Sequence, residues 1–582
     1  MNRHELVIRS GTVIDGTGQP RFTADVAVDN GRISAVGRVE GRGHREVNAD
    51  GLLLAPGFVD IHTHYDGQAA WDKHLAPSSW HGVTTAVIGN CGVGFAPVLP
   101  HNQQRLIELM EGVEDIPGTA LHEGLPWTWE SFPQFLDFLD TLPRDIDLGT
   151  QVPHAAMRVH AMGERAVARE PANADEIAQM ARIAGEAIRA GALGFSSSRH
   201  INHKSIRGEP VPTLRAETDE LVAIARAVGK EGGVLQFVSD QLHKQEELDL
   251  LERLGRESGA LVSISVAQFD GRPDMWKDTL AHCAQAAQRG VTLRGQVAAR
   301  AVGLLLGLDV TLNPFLYSPA YRAIKDLPLA ERVARMRDPQ VRRAIIEGNQ
   351  VDKKGLLGSR MIDSFDGMFR LGTPPNYEPD PSTSVGATAA RESRSPLEVV
   401  YDWLLEDDGR ALIYTPSLNW SGKNLDVVRE MLLNPFAIPG LSDGGAHVGS
   451  ICDVSFPTTL LQWWGRDRPH GRIDLETLIE RQCRATAHAV GLTDRGVILP
   501  GAKADLNLID FDNLRLHAPQ VVRDLPAGGR RLMQRADGYR HTFVSGIEIM
   551  RDGEATGALP GRLVRGRQPI IRETANGSLH QP

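Results

Sequence analysis

The chain is poor in cysteine. Only Cys91, Cys283, Cys452 and Cys483 occur in 582 residues, and none forms a CxxC pair. That spacing excludes a zinc ribbon and a redox dithiol. No uninterrupted apolar run of about 20 residues is present, which argues against a membrane-spanning helix. The opening Met1-Asn2-Arg3-His4-Glu5 leads into polar, alternating sequence without the apolar core of a signal peptide. A cytoplasmic location is therefore expected. Basic runs are also missing, and the net charge is −10. Nothing here attracts nucleic acid or an anionic membrane. The expected partner is a small-molecule substrate, with homo-oligomer formation left open. No GxGxxG follows an early strand, so a doubly wound nucleotide-binding sheet has little support.

What is present is an ordinary globular composition, 41% hydrophobic and 23% charged, in a chain too long for one compact core. Short β-type runs open it: Leu6-Val7-Ile8, Thr12-Val13-Ile14, Asp25 to Val28 and Arg32 to Val36. Turn signals such as Asp29-Asn30-Gly31 separate them. The same texture returns at Ala504 to Asp510 and at His541 to Met550. The two termini are therefore expected to build one small β-sandwich domain, from residues 1–55 plus 496–582.

The middle, residues 56–495, alternates strand-like runs with amphipathic helices such as Ala174–Ala190 and Thr218–Glu231. Expected strands are Gly57–His64, Val83–Asn90, Leu148–His154, Ala192–Ser198, Gly233–Ser239, Ala260–Ala267, Val291–Val297 and one ending before Asp443. Eight such units predict an α/β fold, a (β/α)8 TIM barrel. Segments near 100–143 and 313–395 break the repeat. They read as insertions, either lids and binding loops or surface decoration and subunit contacts.

The strongest local signal is Pro56-Gly57-Phe58-Val59-Asp60-Ile61-His62-Thr63-His64. In a strand, residues i and i+2 point to one side, so His62 and His64 can both aim at the barrel mouth. Active sites of these barrels lie at the C-terminal strand ends, and neutral imidazole is the commonest transition-metal ligand. Cys91 leaves the second strand between Gly89 and Gly92. Two readings fit it, a zinc thiolate or a small core residue. Asp443, followed by Gly444-Gly445, ends the last strand. It can bind the metal and accept a proton from water, or it can close an Asx turn. His447 offers a donor for a developing oxyanion, with a structural role as the alternative. His154 ends the third strand and, with Arg158, can shape the mouth or bind an anionic group, against structural packing; Arg199 and Arg300 follow strand ends and are candidates to bind a substrate carboxylate, against solvated or salt-bridged roles.

Taken together, these motifs resemble the amidohydrolase superfamily, and within it the N-acyl-D-amino-acid deacylase (D-aminoacylase) group. The resemblance rests on Ala55 to Asp66, Gly82 to Gly94, Gly191 to Ser197, Leu441 to Gly444 and Gly501 to Asp510. It implies a barrel carrying a small β domain, a zinc ion, and hydrolysis of an amide. Its His-x-His matches His62 and His64, its metal-binding Cys matches Cys91, and its catalytic Asp matches Asp443. The family also implies one metal-binding His at the end of the fifth strand and one at the sixth. Here those strands read Gly233 to Asp240 and Ala260 to Gln268, and neither contains His. The chain thus resembles a divergent branch.

Three repairs fit. One metal can sit on His62, His64 and Asp443 with Cys91 or water; His243 or His154 can swing in; or Asp443 can act without a metal. The first is preferred, with one divalent Zn²⁺. The expected activity is hydrolysis of a C–N bond in an N-acyl amino acid by metal-activated water with Asp443 as base. A cyclic amide, imide or lactone is an alternative substrate. An inactive barrel that binds a small molecule is a further alternative.

Overall fold

The structure is a computed structural model and describes residues 3–240, 244–349, 362–569 and 571. Eight parallel strands form its centre: Phe58–Asp60, Val83–Ile88, Asp147–Pro153, Gly194–Arg199, Val234–Ser239, Val262–Val266, Leu293–Val297 and Ala437–Pro439. These are barrel strands 1 to 8 below. Each pairs with the next in chain order. The ring closes just beyond the strand ends. Thr63 bridges Gly444 in parallel, and His64 N donates to Gly444 O at 2.7 Å.

Strand 2, Val-Thr-Thr-Ala-Val-Ile, is buried at every position. A parallel strand covered on both faces needs such a run, and β-branched side chains pack well on a pleated surface. Helices between the strands cover the outer face. Ala174–Ala190 starts at a capping box of Asn173 and Glu176 and stops at Gly191, whose φ of +125° does not suit an L side chain.

Strand 1 was expected to run to His64, but its regular pairing ends at Asp60. Beyond it the chain turns to meet strand 8, because Thr63 takes Gly444 as its bridging partner.

The two chain ends share one sheet. Leu53–Pro56 pairs antiparallel with Leu506–Ile509, joining the N-terminal strands to the C-terminal ones. The expected small β domain takes the form of this continuous nine-stranded sheet. Arg3–Val13 links it, pairing along its length with both Arg42–Asn48 and Leu53–Pro56.

The segment near 100–143 is helical, with Gln103–Glu114, Gly118–Gly124 and Phe132–Asp140 lying between strands 2 and 3. The later excursion is wider than 313–395. It runs from strand Val302–Leu306 to strand Ile413–Leu418, which pair antiparallel, and holds its own core around Phe315, Tyr401 and Trp403. No helix among the described residues is long and apolar enough to cross a membrane.

Candidate metal centre

Strand 1 delivers His62 and His64, both about 1% exposed. His62 Nδ1 lies 2.7 Å from Gln296 Oε1 on strand 7, and Gln296 Nε2 donates to Ser263 Oγ at 3.0 Å. The amide oxygen therefore faces the imidazole, which donates from Nδ1 and keeps its lone pair on Nε2. That Nε2 is 3.3 Å from Cys91 Sγ and 3.4 Å from Asp443 Oδ1.

His64 is different. Neither of its ring nitrogens has a hydrogen-bond partner. Nε2 lies 3.9 Å from Asp443 Oδ1 and Nδ1 lies 3.5 Å from Glu114 Oε1. Burial, with His62, His447 and His203 nearby, holds this ring well below the ordinary imidazole range, so it is neutral.

Cys91 is placed by its backbone. It adopts φ +54° between Gly89 at +79° and Gly92 at +70°. A Cβ on Gly89 would stand 2.0 Å from Gln151 O, and one on Gly92 would stand 2.9 Å from Ser197 Cα. Only glycine permits this close passage. Cys91 N donates to Gln236 Oε1 of strand 5 at 3.2 Å. Burial pushes the thiol far up, and the neighbours acting on it, Glu114, Asp443 and Asp66, are all acids.

Asp443 leaves strand 8 at φ +49°, and its N donates to His62 O at 3.2 Å. Its side chain is 20% exposed, so it is the open member of an otherwise buried set.

The structure thus brings His62, His64, Cys91 and Asp443 together. Among the described residues, the ligand atoms of His62, His64 and Cys91 form one cluster within 4.8 Å of one another. A buried imidazole with no partner, a thiol among carboxylates and two Nε2 atoms near one carboxylate suit a divalent cation. His447 joins the rim: its Nε2 is 3.6 Å from Glu114 Oε2, and it is 26% exposed.

The other expected site residues are spent elsewhere. Arg300 is buried and donates to Ser455, Thr459, Cys452 O and Asp453, with its guanidinium 3.6 Å above the Tyr377 ring. Arg199 is held by Glu247 and Ala216 O. His154 sits between Ser197 Oγ and Glu220 Oε1, both at 2.8 Å. Each reads as an anion or carboxylate binder by its place at a strand end. In this structure each satisfies buried or half-buried protein groups. Gln268 bonds to Asn419 and Ser421. His243 lies outside the described residues.

Two further groups at the site had no sequence signal. Glu114 ends an amphipathic helix of the insertion after strand 2 and is almost fully buried. His203 follows strand 4, with Nδ1 2.8 Å from Ser198 Oγ, and burial beside His200, His447 and His62 holds its ring well below the ordinary imidazole range.

A (β/α)8 barrel with imidazoles, a thiol and a carboxylate converging at its mouth is the framework of a metal-dependent hydrolase. The chain belongs to the amidohydrolase family, whose profile matches residues 45–549. It is similar to D-aminoacylase of Alcaligenes xylosoxydans xylosoxydans, at 26% identity over 568 residues, covering 96% of this chain and 97% of that one. N-acyl-D-glutamate deacylase of the same organism is 30% identical over 317 residues, 53% of this chain and 57% of that one. The solved N-acyl-D-glutamate deacylase of Bordetella bronchiseptica, complexed with zinc and a phosphonate inhibitor, superimposes with a TM-score of 0.64. It is 23% identical, and the match covers 97% of this chain and 100% of that one.

Proposed function

We propose that this protein hydrolyses the amide bond of N-acyl amino acids, D-configured ones among them, using one Zn²⁺ held by His62, His64, Cys91 and Asp443. The observation that carries this reading is the cluster of His62, His64 and Cys91 with Asp443 beside both Nε2 atoms, at whose centre the buried His64 has two unpartnered ring nitrogens. Two imidazoles, a thiolate and a carboxylate are a donor set suited to zinc. The full-length match to a D-aminoacylase supports the substrate class. The absence of His from strands 5 and 6 supports one metal rather than two.

A cation bound there supplies Lewis acidity, which acidifies water and polarises the amide carbonyl. His62 and His64 present Nε2 to it as neutral ligands. Asp443, open to the mouth, takes the proton of the attacking water at its carboxylate and returns it to the leaving nitrogen. His447 at the rim is the donor available to the carbonyl oxygen as that atom gains charge.

The test is metal analysis joined to a hydrolysis panel of N-acetyl D- and L-amino acids, cyclic imides and lactones, before and after chelation. About one Zn²⁺ per chain and chelator-sensitive release of free amino acid are expected. Well under one metal per chain after Zn²⁺ loading, with no turnover, would overturn the reading in favour of a binding protein. Turnover confined to the cyclic compounds would move the substrate class.

A further inference from the structure

The helix Gln103–Glu114 ends inside the site. Asp115 leaves it at φ +50°, and Ser450 Oγ donates to Asp115 Oδ2 at 2.8 Å. The backbone N of His447 donates to Glu114 O. The end of the insertion is therefore tied to the loop that carries Asp443.

The Glu114 side chain is 2% exposed and stands between two imidazoles, 3.5 Å from His64 Nδ1 and 3.6 Å from His447 Nε2. These separations are longer than hydrogen bonds, and Glu114 Oε1 and His64 Nδ1 are both left unpaired. A buried acceptor facing a buried ring nitrogen is costly unless something closes the gap. His62 shows the completed version of the same arrangement, with Nδ1 on an oxygen acceptor and Nε2 toward Cys91 and Asp443. His64 repeats that orientation, with Glu114 in the place of Gln296. Metal-binding histidines commonly donate their second ring N–H to a carboxylate or carbonyl, which fixes the tautomer and raises ligand basicity.

We propose that Glu114 is a positioning residue of the metal centre, accepting the Nδ1–H of His64 so that Nε2 is left for the cation. This rests on the metal reading above. It makes the insertion after strand 2 a working part of the site. It also supplies an oxygen acceptor as outer partner in a chain whose strands 5 and 6 bring no imidazole.

Glu114→Gln and Glu114→Ala should be compared with the unmodified protein by Zn²⁺ competition against a chelator and by thermal melting with and without Zn²⁺. Zn²⁺ affinity should fall about 10- to 100-fold in Glu114→Ala and less in Glu114→Gln, whose amide oxygen can still accept from His64 Nδ1 as Gln296 does from His62. The metal-free melting temperature of Glu114→Gln should hold or rise, because an amide of the same shape replaces a buried carboxyl whose Oε1 is unpaired. A residue that only packs would give the opposite pattern: a lower metal-free melting temperature with affinity unchanged. That pattern would overturn the proposal. Imidazole ¹⁵N spectra of the unmodified Zn²⁺ protein test it even if the variants fail to fold. His64 protonated at Nδ1 is expected, and protonation at Nε2 overturns it. Failure of the unmodified protein to bind Zn²⁺ at all would instead overturn the metal reading, and this proposal with it.

Discussion

Asp443 owes its position to an unusual backbone. Leu441, Asp443 and His447 all lie at positive φ, between +49° and +60°. Each such L residue costs about 1–2 kcal/mol, so the loop is maintained by its bonds to strand 1. Asp443→Ala should lower kcat by roughly 10²–10⁴-fold with melting temperature and circular dichroism unchanged. Retained turnover would remove Asp443 from the mechanism. Cys91 can be followed in Co²⁺-substituted protein, where a thiolate-to-metal charge-transfer band is expected and should vanish in Cys91→Ser. Arg300 makes the contrary prediction. Arg300→Ala leaves Asp453 buried without its partner and should cost about 3–5 kcal/mol in denaturant unfolding. A raised KM at unchanged stability would restore its substrate role. Position at a strand end made Arg300 a candidate as well as Asp443, because sequence order does not say whether a side chain turns into the mouth or back into the wall.

At the scale of elements, the eight strands were legible because buried parallel strands are short apolar runs separated by amphipathic helices. The exit of strand 2 was also legible in part, since Gly89 and Gly92 beside Cys91 announce a close backbone approach. What Gly89 avoids is a contact made in three dimensions, the Gln151 carbonyl on strand 3. Gly89→Ala should displace Cys91 and weaken Zn²⁺ binding more than it lowers the melting temperature, by chelator competition and thermal scan. The helix ending at Glu114 was not legible as part of the site. A buried acid on an otherwise amphipathic helix looks like any solvated one until its neighbours are known.

Across the whole molecule, charge pairs join the base of the barrel to the returning C-terminal chain. Asp147, at the start of strand 3, meets Arg495 at 2.6 Å and Lys503 at 3.1 Å. Burial raises its pKa, but Lys503 and Arg495 outweigh burial and hold it at about 2. An unfolded Asp titrates near ~3.9. The pair's contribution is thus fully present above that value and is lost as pH falls through about 2. Asp147→Asn should flatten the acid limb of stability between roughly pH 4 and 2, measured by unfolding at a series of pH values. A limb unchanged in the variant would assign acid unfolding to other groups. By itself the sequence determined the barrel and the shared terminal sheet and singled out His62, His64, Cys91 and Asp443 as candidates, since periodicity and short motifs are local properties. Only the tertiary structure decided that Arg199, Arg300 and His154 are occupied and that Glu114 and His203 stand beside the site. Those outcomes depend on which distant groups meet each side chain, and strand-end position alone does not encode that.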